Sequence, residues 1–106
     1  MKILIEAKTA AETVVVNFYR DNKSYPIIPT TFWAWGLGAG EEIEIAFPVS
    51  LEPDPADDGD WVVVKVAGEE IVLDADNNMQ SVYAPCKVRL KKGVTVAAVG
   101  VAMTAL

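Results

Sequence analysis

Four aspartates, Asp54, Asp57, Asp58 and Asp60, fall within one short stretch of the chain. Glycoside hydrolysis needs two carboxyl groups in different states, one held protonated as the acid and one ionised as base or nucleophile. That division requires a rigid scaffold to drive the two pKa values apart. These aspartates sit in residues 48–60 beside Pro48, Pro53 and Pro55, so the expectation is a flexible, solvated acidic loop with no catalytic division of labour. Asp74, Asp76 and Asn78 place oxygen donors at the first, third and fifth positions of a calcium-loop pattern. Met79 stands where the sixth position needs glycine and Pro85 where the twelfth needs glutamate, so this is read as a turn between strands. Gly36, Gly38 and Gly40 alternate but lack the Gly-Lys-Ser/Thr ending of a phosphate loop, and an acidic strand from Glu41 to Ala46 follows where a helix should start. Cys86 is the only cysteine, and the chain has no histidine to serve as its base. One cysteine without histidine cannot complete a zinc site, and Cys86 is expected to be a buried free thiol. No catalytic residue, metal site or cofactor is predicted, and the chain is read as non-enzymatic.

Binding is the better-supported chemistry. In Phe32-Trp33-Ala34-Trp35 an extended backbone turns both tryptophans to one side and Phe32 and Ala34 to the other. Turned inward, the indoles join the core. Turned outward, they make an apolar patch that calls for a partner, either another subunit or a stacked sugar ring. In the segment 86–92, Lys87, Arg89 and Lys91 share one face and Val88 and Leu90 the other. Three like charges on one face are stable when solvated, where they also guard an edge strand, or when they face acid. The acid would be residues 41–76 of a neighbouring copy, or another protein. The predicted partner-interface residues are therefore Phe32, Trp33, Trp35, Lys87, Arg89 and Lys91. Trp61, which opens a strand next to Val63, is expected in the core.

The elements that must position these residues are strands. Period-two alternation runs through 2–8, 13–20, 41–47, 61–66, 71–73, 79–83, 87–91 and 94–103, and these runs are rich in Val and Ile. No segment keeps a helical period over three turns. Turn signals separate the runs at Asp21-Asn22, Pro26, Pro29, Gly36 to Gly40, Pro53 to Gly59, Gly68, Asp76 to Asn78, Pro85 and Gly93. The predicted fold is all-β, an antiparallel β-sandwich or jelly-roll-like small barrel of about eight short strands. Two connections, 21–40 and 48–60, are longer than a hairpin requires, and long connections in compact domains tend to carry function.

Length and composition agree with one β-sandwich domain over 1–106, 52% hydrophobic and 23% charged. The charge is unevenly laid out: residues 41–80 hold twelve acidic side chains and Lys65, while 81–106 hold four basic side chains and no acidic one. A net charge of −6 argues against nucleic acid as the main partner. The apolar run Ile3-Leu4-Ile5 is too short for a secretory signal, and no charge-free stretch is long enough for a spanning helix. The expectation is a soluble chain made in a cytoplasm, with no membrane partner.

Residues Trp61 to Val64, Gly68 to Asn77 and Ser81 to Leu90 together resemble a pattern in small virion proteins of tailed bacteriophages. In that pattern a strand pair leads to a tyrosine-glycine-proline-glycine-like turn, a Tyr-Arg-containing strand and a closing strand rich in Ala, Gly and Val. Ala84 and Cys86 stand where the turn would have glycines. The resemblance spans residues 61–103. It implies a structural virion protein, a capsid decoration or cement protein that binds between major capsid subunits on the head surface, as a dimer or trimer. The alternative is a carbohydrate-binding or host-recognition module with Trp33 and Trp35 as stacking platforms.

Overall fold

The computed structural model describes residues 1–18, 28–84 and 87–105. The turn signals at Asp21-Asn22, Pro26 and Pro85, the alternation at Tyr19 and the expected buried thiol of Cys86 lie outside them. The described residues form strands β1 (Lys2–Lys8), β2 (Glu12–Asn17), β3 (Ile28–Trp35), β4 (Glu42–Pro48), β5 (Trp61–Val63), β6 (Lys65–Val66), β7 (Glu69–Glu70), β8 (Val72–Asp74), β9 (Met79–Ala84), β10 (Lys87–Lys92) and β11 (Val99–Ala105). A single turn of 3₁₀ helix spans Asp58–Asp60. The fold is an all-β sandwich of antiparallel sheets.

Sheet A has the order β1-β11-β3-β9, and sheet B the order β2-β10-β4-β5 with β8 also on β4. The pairing is nested: the first strand lies on the last, β2 on β10, β3 on β9, and β4 on β5 and β8. A chain paired in this way is one long hairpin. Rolling it up adds the contacts β11 to β3 and β10 to β4, which is the arrangement of a jelly roll. Successive long strands alternate between sheets, so sheets A and B are both stitched from distant parts of the sequence, while β6 and β7 form a local two-stranded hairpin.

The core lies between the sheets. Ile5, Phe32, Ala34, Val82, Val99 and Val101 face it from sheet A, and Val16, Ile43, Ile45, Leu73, Val88 and Leu90 from sheet B. One end is closed by polar bonds. Lys92, on the same side of β10 as Val88 and Leu90 and 1% exposed, donates from Nζ to the carbonyls of Ala10 (2.6 Å) and Gly93 (3.1 Å). Burial pushes its ammonium below the ordinary lysine pKa, partly offset by the charge of Glu41. Glu41 accepts from the Gly38 and Val96 amides at 2.7 and 2.8 Å, which ties two loops together and lowers its pKa.

Three readings from sequence change. The segment 21–40 is not one long connection, since it contains β3, a central strand of sheet A. Its Pro29 is next to the first residue of the strand, where a missing N–H is tolerated. The alternation at 94–103 becomes a strand only from Val99. Val94 and Val96 are 79% and 93% exposed, on a loop held by the Thr95 amide on the Thr9 carbonyl. Finally, the acidic loop 48–60 is not a free tether. Asp54 and Asp57 accept from the amides of Ala56 and Gly59, and Asp60 accepts from the amide of Asp54, so three carboxylates are turned onto their own loop.

Candidate functional site

The six residues singled out by sequence fall into three places. Phe32 is fully buried between the sheets, so it anchors β3 in the core and presents nothing to a partner. Trp33 and Trp35 point the other way, onto the outer face of sheet A, with 36% and 37% exposure. Lys87, Arg89 and Lys91 lie on the outer face of sheet B, on the opposite side of the sandwich, since Val88 and Leu90 point to the core.

On sheet B the protein supplies its own acid. The 48–60 loop folds back over β10, and Asp58 meets Arg89 Nη1 at 2.9 Å and Lys91 Nζ at 3.1 Å. The two hydrogen bonds, Lys91 first, hold the Asp58 carboxyl below the ordinary aspartate pKa. Such a group is ionised at neutral pH and unfit as a general acid. The Arg89 guanidinium is nearly buried. It also donates to the Pro55 carbonyl at 3.3 Å and lies 5.4 Å from the centre of the Trp61 ring. Trp61 is buried as expected, but beneath the acidic loop and outside the inter-sheet cluster, with Nε1 donating to the Asp54 carbonyl at 2.9 Å. Arg89 is thus spent in holding a loop, and Lys91 is largely so.

Sheet A is different. Strand register sets Ile3 against Ala102, Ala102 against Trp33 and Trp33 against Met79, one row across all four strands. The neighbouring rows hold Trp35 against Gly100, Thr104 against Thr31 and Ser81, and Pro29 against Tyr83. Ile3, Met79 and Tyr83 are 51%, 55% and 71% exposed. None of the positions of β11, β3 and β9 that alternation turns to this side is charged. The indoles meet edge to face, with centroids 6.5 Å apart and planes at 73°. A Cβ on Gly100 would fall 2.6 Å from Cε2 and 2.9 Å from Cη2 of Trp35, so the Trp35 ring rests directly on the β11 backbone, where only glycine leaves room. Ile3, Met79, Tyr83 and Gly100 escaped the sequence reading because what joins them to the tryptophans is register between distant strands.

A hollow of about 230 Å³ between 39–42 and 74–76 is lined by Glu41, Glu42, Asp74 and Asp76. Asp74 Oδ1 is already engaged by the Asp76 and Asn77 amides, and among the described residues no group of three or more side chains is arranged to hold a metal ion. The outer face of sheet A is the candidate site, and its chemistry is contact. No family model matches the chain, and neither a curated protein nor a solved structure matches it.

Proposed function

We propose that this protein is a structural virion protein, a small β-sandwich that decorates a tailed-phage head by docking between major capsid subunits. The observation that carries the reading is the outer face of sheet A, a row of apolar side chains crossing four strands through Trp33, with the Trp35 indole in the row beside it. Exposed apolar faces of this kind mark interaction surfaces, and buried aromatic anchors supply most of the affinity in protein interfaces. Support also comes from the resemblance over residues 61–103 and from the jelly-roll topology, an architecture used by viral capsid and lectin domains. The topology supports the reading only as an analogy of fold. Arg89 and Lys91 contribute less to docking than their spacing suggests, because Asp58 engages both.

A sugar-binding module is the second reading, favoured by the two exposed indoles. The 73° angle between their rings counts against it, since neighbouring sugar rings stack best on coplanar platforms. Cosedimentation of the purified protein with empty tailed-phage heads separates the two. The expected result is saturable binding that falls by about tenfold or more in Trp33→Ser, through loss of a buried aromatic anchor. A failure to bind heads, together with a shift of tryptophan emission on titration with soluble glycans, would replace the capsid reading with the sugar-binding one.

A further inference from the structure

Every open sheet has edges whose backbone groups invite pairing, and natural sandwiches protect them with charges, bulges or short strands. Three edges of this sandwich are protected. β1 carries Lys2, Glu6 and Lys8 and breaks register twice. β2 begins at Glu12, whose carboxylate is held by Lys8 at 2.9 Å. β5 and β8 have three residues each. β9 is the exception: like β2 it has six residues in unbroken register, here with β3 from Ile28↔Ala84 to Trp33↔Met79, but none of its residues is charged. Among the described residues, none pairs with its outer side.

The register tells which backbone groups are open. Ala34 N–H donates to the Asn78 carbonyl at 2.9 Å, which marks that position as one turned toward β3. Inward and outward positions alternate along an antiparallel strand. Gln80 and Val82 therefore face β3, while Met79, Ser81 and Tyr83 turn their N–H and C=O groups to the outer edge, which no described residue pairs. The side chains of these same three residues are exposed on the outer face of sheet A.

We propose that β9 pairs antiparallel with β9 of a second copy about a two-fold axis through Ser81. Met79 then lies opposite Tyr83 of the second copy, Ser81 opposite Ser81, and Tyr83 opposite Met79, each pair exchanging two N–H···O bonds. A two-fold interface is self-complementary, so a charge near the axis would confront its own image. β9 carries none. The thioether of Met79 meets the phenol ring of Tyr83, a favourable sulfur–aromatic contact. The two four-stranded sheets become one, with both tryptophan faces on the same side. This inference stands on the geometry of β9 and holds whether or not the partner of that face is a capsid.

The test is the solution mass of the full chain by light scattering, with amide hydrogen exchange read residue by residue. The wild type is expected at twice 11.4 kDa, with the amides of Met79, Ser81 and Tyr83 protected. Ser81→Lys sets two ammonium groups against each other across the axis, and is expected to weaken the dimer by about 10²-fold or more. Its near-UV circular dichroism should match that of the wild-type monomer. Ser81→Pro, which removes the outward N–H together with the 2.8 Å hydrogen bond between the Ser81 and Thr31 hydroxyls, should likewise give a monomer. A wild type of 11.4 kDa at millimolar concentration, or a dimer whose mass and amide protection survive Ser81→Lys, overturns the proposal. Trp33→Ser is expected to lose head binding and keep the dimer, so the two readings fail separately.

Discussion

Replacing Gly100 by alanine tests the geometry of the candidate face with a single carbon atom. The new Cβ would lie 2.6 Å from Cε2 and 2.9 Å from Cη2 of Trp35, and closer still to Cζ2. Carbon atoms in contact sit about 3.5–4.0 Å apart, so the indole must lift by about 1 Å or more. Overpacking of this kind costs roughly 1–3 kcal/mol. Removing a glycine from a strand interior returns about 0.5–1 kcal/mol through backbone entropy, which leaves a net loss of about 1–2 kcal/mol. In a Trp35→Ala background the clash is gone and only the gain remains. Gly100→Ala should therefore change sign, from destabilising to stabilising, with a coupling of about 2 kcal/mol between the two sites. Urea unfolding of the four proteins of this cycle, followed by far-ultraviolet circular dichroism, measures the coupling. The near-ultraviolet spectrum reports the Trp33–Trp35 pair, which should be lost in Gly100→Ala. Equal costs of Gly100→Ala in both backgrounds, with the aromatic spectrum unchanged, would refute the packing of Trp35 on the β11 backbone.

Two further outcomes follow from local geometry. Ala67 and Gly68 join β6 to β7 with φ of 53° and 85°, a turn with both central residues left-handed, which asparagine tolerates better than alanine. Ala67→Asn should stabilise the protein by about 1 kcal/mol, raising the thermal midpoint by roughly 4–8 °C; an unchanged midpoint would show that the hairpin is decoupled from global unfolding. Asp58 and Glu41 both have lowered carboxyl pKa values in the folded protein, so the unfolded chain binds more protons as the solution is acidified. Their contribution is present above the ordinary carboxylate range and is lost as pH falls below it through the lowered values of the folded state. Asp58→Asn should flatten the fall of stability between pH 5 and pH 2, as seen by denaturant titration at each pH, and Trp61 emission should change along with it. An identical pH profile in the variant would show that the loop is held by Trp61 and Pro55 without the carboxylate.

Period-two alternation is a local property, and it determined much here. It assigned the all-β class, placed most of the strands, and set Trp33 with Trp35 against Phe32 with Ala34, and Lys87, Arg89 and Lys91 against Val88 and Leu90. Parity says which side chains share a face but not which face meets the core. That depends on the pairing partners, and β3 is held by β11 and β9, some fifty to seventy residues further along the chain. Only when the nested hairpin rolls up does Phe32 go inside, the indoles go outside, and Ile3, Ala102 and Met79 align with them. The same folding brought the acidic loop over β10. Charge spacing left Lys87, Arg89 and Lys91 either solvated or facing acid on another molecule, and the tertiary structure supplies acid to Arg89 and Lys91 from Asp58 of the same chain, because a tethered carboxylate reaches them at far higher effective concentration than one on a second molecule.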